Sequence, residues 1–253
     1  MAIVKKVKVK RSELKKDKFV ESMQELIKWS KDNWRYLFIG VSAIILVIIV
    51  AVSIKSSFVS KEKNSSLELT GAIDIFVSGD FKQSLELFNN IKQTYYGTNS
   101  SKKATYYIGM CNLNLGAMDQ QNSQKYYEDA IKSFKQFIKY KYGLEELRCA
   151  SYIGIAKAFE GLSQVDSALV YYQKAIKEVP ENSYTPEALL GMGRVYEMKY
   201  DVESALNCYE EIIYKYPNSS FVQQAYVYKN LLEGAIDPLT QQYNEKKKEG
   251  TVK

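Results

Sequence analysis

Hydrophobic positions along the chain fall into three regimes. Phe19, Val20, Met23, Leu26 and Ile27 recur at helical spacing among Lys15, Lys16, Lys18 and Lys28, with Trp29 and Trp34 following, the pattern of an amphipathic helix lying on a membrane face. From Tyr36 to Ile54 there is no charged residue, and Ile44 to Val50 is unbroken aliphatic. Nineteen residues at about 1.5 Å each give roughly 28 Å of helix, close to the thickness of a bilayer core. Beyond residue 66 the apolar positions return to a helical rhythm broken by short polar turns, and one stretch recurs. Tyr152, Ile155, Ala156, Phe159, Ala168, Tyr172, Ala175 and Pro180 are followed, each 37 positions on, by Leu189, Met192, Gly193, Tyr196, Ala205, Tyr209, Ile212 and Pro217. The steric logic is that of a helical hairpin. A small residue (Ala156, Gly193) lets two helices approach, and a second one (Ala168, Ala205) opens the partner's packed face. An aromatic then fills the space between them, and proline ends the unit.

Looser copies precede this pair. Ser65-Ser66-Leu67-Glu68 reads as a capping box, with Ser65 starting a helix and Glu68 answering it. That helix carries Leu67, Leu69, Ala72, Ile73, Ile75, Phe76 and Val77, and breaks at Gly79; its partner begins at Asp80. Ser84, Phe88 and Ile91 keep the spacing of Ala168, Tyr172 and Ala175. In the next copy, Ile108-Gly109 and Leu115-Gly116 precede Ala130, Phe134 and Phe137. The interval from Gly116 to Ala130 is about nine residues longer than the pattern needs, which predicts either a second helix extended backward or a surface loop. Thr185 is placed to cap the helix that Pro186 opens, and a last helix from Phe221 to Glu233 should cover the end of the array.

The predicted fold class is therefore all-α: a single transmembrane helix followed by a solenoid of helical hairpins. The chain divides into a basic segment with the amphipathic helix (1–35), the apolar helix (36–54), a polar, Ser-rich linker (55–65), the hairpin domain (66–233) and a tail (234–253) with little to bury. About nine helices, in four hairpins and a cap, would wind as a right-handed superhelix. Val7-Lys8-Val9-Lys10 alternates like a strand but is too short to stand alone.

Charge orients the apolar helix. Residues 1–35 carry eleven lysines or arginines against five acids, a net +6 equal to that of the whole chain. The positive-inside rule places this end in the cytoplasm and the hairpins across the membrane, although basic residues within about 18 positions of each end are closer to balance. Trp34 and Tyr36 fall where an interfacial aromatic belt belongs, and the small residues Gly40, Ser42 and Ala43 could mark a helix–helix contact. A long leader favours an uncleaved anchor over a cleaved signal peptide. Lys5 to Lys18 fit either lipid headgroups or a solvated topology signal. The remaining residues hold 24 basic and 24 acidic groups, so a neutral domain argues against nucleic acid as a partner.

Reactive chemistry is sparse. There is no histidine, which excludes imidazole-based triads and His-ligated zinc or haem. Cys111, Cys149 and Cys208 are far apart and read as packing residues. Glu145-Glu146 and Glu210-Glu211 are adjacent on helices and point about 100° apart, so neither pair converges. No phosphate-binding glycine loop, nucleophile elbow or metal-ligand set occurs. No enzyme activity, metal or cofactor is expected.

The order of large, small and aromatic positions resembles the tetratricopeptide (TPR) repeat. In that family the first helix of each hairpin lines the concave side. The resemblance thus implies that Ile73, Phe76, Tyr106, Met110, Leu113, Ile153, Lys157, Leu190 and Arg194 face a groove. Its early half is apolar and aromatic, and Lys157 and Arg194 make its later half basic, suiting a peptide with apolar anchors and some acids. The alternative is that the apolar members are simply buried between neighbouring helices. The lysine/asparagine clamp with which chaperone-binding TPR domains hold a terminal carboxylate is absent. Most of the 21 tyrosines follow the aromatic repeat positions and are assigned to packing, with Tyr106 and Tyr184 as exposed contacts.

The layout resembles bacterial inner-membrane TPR proteins associated with the protein-export translocon and periplasmic chaperones. That implies a single-pass protein of the inner (cytoplasmic) membrane with periplasmic repeats. Its role would be that of a non-enzymatic ancillary factor whose partners are the lipid bilayer and other proteins, translocon or chaperone among them. The alternatives are a scaffold for envelope assembly or division, an organelle-surface import receptor with cytosolic repeats, and an accessory subunit of a membrane enzyme. Partner identity and homo-oligomeric state stay open.

Overall fold

The computed structural model describes residues 11–140, 145–178 and 183–234, with side chains from 18 onward. The Val7–Lys10 alternation, the basic residues up to Lys10, Pro180 and the Asp237–Lys253 tail lie outside them. Every regular element among the described residues is helical, and the chain forms two compact units, Met1–Ser60 and Lys61–Lys253.

In the first unit α1 (Arg11–Asp32) and the start of α2 (Trp34–Val77) are separate helices. Asn33 stands at the break: its backbone N–H makes the last helical bond, to the Trp29 carbonyl at 2.9 Å, and its side-chain amide competes for the same carbonyl at 2.9 Å. Phe19, Val20, Met23, Leu26 and Ile27 are all exposed. Among the described residues α2 is the one helix long and apolar enough to cross a membrane, and none of its apolar window is buried by protein.

The polar stretch 55–65 corrects one expectation. It is helical throughout, inside α2, and Ser65 opens nothing. Its side chain is fully buried in mid-helix and donates back to the Glu62 carbonyl at 2.8 Å, while Glu68 accepts from the Tyr95 hydroxyl at 2.6 Å. With no proline or glycine to stop it, a helix already nucleated by the apolar run extends through serines at small cost per residue. The supposed linker also holds the first hairpin. Glu62 accepts from the Asn99 backbone N–H with both carboxylate oxygens, at 3.2 and 3.1 Å, at the start of the following helix, where its charge meets the helix dipole. Lys61 donates to the Tyr96 carbonyl at 3.3 Å.

The second unit stacks hairpins in chain order. The end of α2 packs on α3 (Phe81–Thr94) through Leu69, Ala72, Phe88 and Ile91, while α4 (Asn99–Met118) pairs with α5 (Ser123–Ile138), α6 (Glu145–Gly161) with α7 (Val165–Glu178), and α8 (Thr185–Met198) with α9 (Val202–Lys215). A further helix, α10, runs over 222–234. Its Ala225 is buried against Leu190, Tyr209 and Ile212, as expected of a cap. Gly79 turns the chain at φ +91°, and the Asp80 side chain caps α3 by accepting from the Gln83 N–H at 3.0 Å. The two later hairpins turn at Ser163 and Tyr200, 37 apart, in left-handed conformation (φ 58° and 59°). In both, paired bonds back to the helix (Gln164 to Phe159 and Ser163 to Glu160; Asp201 to Tyr196 and Tyr200 to Glu197) satisfy its last carbonyls.

Each second helix inserts one ring between its own first helix and the next. Phe134 lies between Gly109 and Gly154, where added Cβ atoms would stand 2.7 and 2.6 Å from it. Tyr172 packs against Gly191 in the same way, and Tyr209 against Gly193. The long Gly116–Ala130 interval becomes helix rather than loop. α5 begins seven residues before Ala130, whereas α7 and α9 begin three before Ala168 and Ala205. The added turn is sealed by Tyr127, a second ring held between Gly116 and Gly161. Thr185 is a further correction. It is the first residue of α8, with Tyr184 before it as cap, and its buried hydroxyl has no hydrogen-bond partner; Pro186 stands in the first turn as expected.

Candidate protein-binding face

The first helices of successive hairpins lie side by side, α4 against α6 and α6 against α8, so their outward residues form one face. At its early end Ile73 and Phe76 of α2 are half-buried on a core of Leu69, Phe88, Ile91 and Ile108. The Phe76 ring stands edge-on to Phe81 and Tyr107, at 5.2 and 5.7 Å between centroids. Tyr107 in turn stacks on Phe88 at 5.0 Å and 13°, fixing its position. Met110 and Leu113, one and two turns along α4, are half-buried beside it. These five side chains form an apolar strip that remains accessible.

Three expected members do not reach the surface. Ile153 and Leu190 are each 2 % exposed and belong to the core, and Tyr106 is buried against Phe134 and Phe137 at 5.8 and 5.7 Å. Burial, with the Tyr184 and Tyr107 phenols and Glu187 nearby, holds the Tyr106 phenol far above its usual range, so it stays protonated. The cause is geometric: Ile153 and Leu190 flank Gly154 and Gly191, which the Phe134 and Tyr172 rings press against, and Tyr106 lies under the rings of Phe134 and Phe137. Tyr184 is half-buried.

The basic half of the face is neutralised. Lys157 pairs with Glu187 at 2.5 Å, and Arg194 reaches both oxygens of Glu160 at 3.1 and 3.3 Å, each pair bridging α6 and α8. Glu160 also accepts from the Tyr172 hydroxyl, and Glu197 accepts from Tyr209 in the same arrangement 37 residues on. Burial, reinforced by the Glu160 charge, pushes the Tyr172 phenol well above its ordinary value, so it acts as a donor. Lys157 and Arg194 thus each have a counter-charge within the stack. Tyr107, Glu160 and Glu187 were missed. Glu160 and Glu197 carry a legible signal, since they share the 37-residue offset of the tyrosines they serve; Glu187 has no counterpart.

The cysteines lie in the core. Burial pushes the Cys111 thiol up to about 11, against a 3.2 Å contact with the Ser84 hydroxyl, and the Cys208 thiol up to about 12. Cys149 donates to the Ala175 carbonyl at 3.3 Å. Protonated, buried thiols are poor nucleophiles. Among the described residues no group of three or more Cys, Asp or Glu side chains could hold a metal ion.

Residues 187–219, spanning α8, α9 and the turn after them, match the family described as Tetratricopeptide repeat. The fourth hairpin is thus a TPR unit, and the three before it share its hairpin architecture. No curated protein matches the chain by sequence. Among solved structures, it is similar to MamA (19 % identity, TM-score 0.46, covering 72 % of this chain and 97 % of that one). It is also similar to a Podosopora anserina protein described as a kinesin light chain with nearly identical TPR-like repeats (13 %, 0.48, 76 % and 99 %). A third is BtubC from P. vanneervenii (14 %, 0.44, 68 % and 64 %). The family match is the part of these comparisons that bears on what the stack does, since TPR units are protein-interaction modules.

Proposed function

We propose that the chain is a membrane-anchored adaptor whose hairpin stack binds other proteins through the strip Ile73, Phe76, Tyr107, Met110 and Leu113. The observation that carries this reading is the strip itself. It is an accessible apolar surface built on rings fixed by the core, so a partner loses little side-chain entropy in docking there. The uncharged α2 segment supports a single span, and the basic excess before it supports a cytoplasmic N-terminus with the hairpins outside. Within that topology we assign the protein to export across the inner membrane, as an ancillary factor passing secreted chains to periplasmic chaperones. The adaptor role so read is one of binding, not of reactive chemistry.

The adaptor reading is tested by in-cell crosslinking and affinity isolation of the full chain beside a Phe76→Ala/Leu113→Ala variant with an unchanged melting profile. Loss of translocon or chaperone components from the variant is expected. Identical recovery from both proteins would remove the strip from the account, and recovery of division or envelope-assembly proteins alone would replace export with a scaffold. Topology has its own test: residues 66–233 should resist protease in intact cells and be cut in spheroplasts. Resistance in spheroplasts would favour cytosolic repeats and the import-receptor alternative.

A further inference from the structure

The cations of the second unit fall into two classes. Arg148, Lys157, Arg194, Lys199, Lys215 and Lys229 each form an ion pair. The other lysines form none among the described residues, and four of them, Lys92, Lys132, Lys135 and Lys139, gather at one place on the second helices of the early hairpins. Lys92 of α3 reaches over to α5 and donates to the Gln136 side chain at 2.9 Å. Lys132, Lys135 and Lys139 follow one another along α5 and its end, covering about 10 Å of helix.

With Tyr96, Ile131, Gln136 and Tyr140, the three α5 lysines line a cleft of 760 Å³. Tyr96 stands 80 % exposed at its edge. Lys135 is held by rings rather than by a counter-charge, 5.8 Å from the centroid of Phe159 and 5.7 Å from that of Tyr171. The one carboxylate in the wall, Glu128, accepts from Gln124 at 3.0 Å. Burial, and after it the charge of Lys132 nearby, lowers the pKa of Lys92.

We propose that this cleft docks an acidic protein segment, with carboxylates one or two helical turns apart meeting Lys132, Lys135 and Lys139 and apolar side chains between them meeting Tyr96 and Tyr140. The proposal rests on the adaptor reading and adds a second contact surface on the opposite set of helices. An acidic peptide fits better than a phosphate polyanion or a lipid surface. Its charges can be spaced to avoid Glu128, whereas a continuous array of phosphates meets that carboxylate; and the tyrosines offer apolar contact that a headgroup layer would not use.

The probe is a fluorescent helical peptide with glutamates at i, i+3 and i+7 and leucines beside them, titrated into the full chain in neutral detergent. Binding should weaken about tenfold in Lys132→Glu/Lys135→Glu/Lys139→Glu, and about threefold in Lys132→Gln/Lys139→Gln, which keeps the ring contacts of Lys135. The basic N-terminal segment is the same in all three proteins, so only the cleft accounts for a difference. Equal affinity across the three overturns the proposal. It is also overturned if phosphatidylglycerol vesicles or a single-stranded oligonucleotide bind in a manner the triple variant loses while the peptide does not. Should the cleft bind nothing while crosslinks from Phe76 persist, the cleft alone is removed; loss of the Phe76 crosslinks would instead sink the adaptor reading.

Discussion

The first two hairpins and the last two are built on one plan and finished differently. In the later pair the 37-residue offset governs packing and polar groups alike: Glu160 and Glu197 serve Tyr172 and Tyr209, and Ser163 and Tyr200 share one turn geometry. Lys157 and Arg194 close the face between α6 and α8 with ion pairs. In the earlier pair the second hairpin has longer helices, the glycines that clasp its rings recur 45 apart in the next first helix (Gly109 to Gly154, Gly116 to Gly161), and an apolar strip and a lysine cleft stay open. Composition follows the same division. Residues 61–140 hold ten basic groups against eight acids, and residues 145–234 eight against thirteen. Regular repetition lets complementary charges recur across neighbouring first helices and satisfy one another. Where the repeat drifts, that pairing lapses and surface is left for other molecules.

The largest effects should be shared by both halves, because the ring clasp is common to them. Phe134→Ala and Tyr172→Ala should each cost about 3–5 kcal/mol in urea unfolding; a small loss for either would mean that the rings are not the fastening between hairpins. Glu160→Ala comes next and separates the halves. It strands the Tyr172 hydroxyl and the Arg194 guanidinium, at a cost of about 2–3 kcal/mol, whereas Lys132→Gln in the open half should stay within about 0.5 kcal/mol. Equal losses would erase the distinction.

Alkaline pH sharpens the comparison further. The Tyr106 and Tyr172 phenols are raised in the folded protein above the ordinary value of 10.0. Their contribution to stability is therefore complete below pH 10 and is lost as the unfolded chain ionises above it, by up to about 1.4 kcal/mol per pH unit for each. Unfolding midpoints should be level through neutrality and fall beyond pH 10, with a shallower fall in Tyr172→Phe. Identical slopes would show that Tyr172 ionises as readily in the fold as outside it. The smallest effect is at the turn. Tyr200 is 92 % exposed in a left-handed conformation, so Tyr200→Gly should gain about 1 kcal/mol; a loss would mean that its ring contributes more than its backbone costs.

The hairpins were readable in the sequence because small residues and rings must recur wherever two helices touch. Breaks set by a single residue were readable too, as at Gly79 and Asp80. The helical reach through 55–65 was not: serine and lysine permit a helix without demanding one, and the bonds from Lys61 and Glu62 to the start of α4 join residues more than thirty positions apart. The binding face was half legible. Phe76, Met110 and Leu113 follow from helical phase, but whether Ile153 or Arg194 is accessible depends on which residue of a neighbouring hairpin lies opposite. Glu187 opposite Lys157 is such a case, and no spacing within one repeat announces it. The lysines of α5 carry no signal in the sequence; that they have no ion-pair partner among the described residues depends on where the surrounding helices place their acids.

The central claim is that partners dock on the open early half of the first-helix face and not on its charge-closed later half. A photoreactive amino acid placed singly at Phe76, Met110, Lys157 and Arg194 of the full chain in its native membrane tests this most directly. Adducts with other proteins are predicted from positions 76 and 110 and not from 157 and 194. Adducts confined to 157 and 194, or equal from all four, would contradict it.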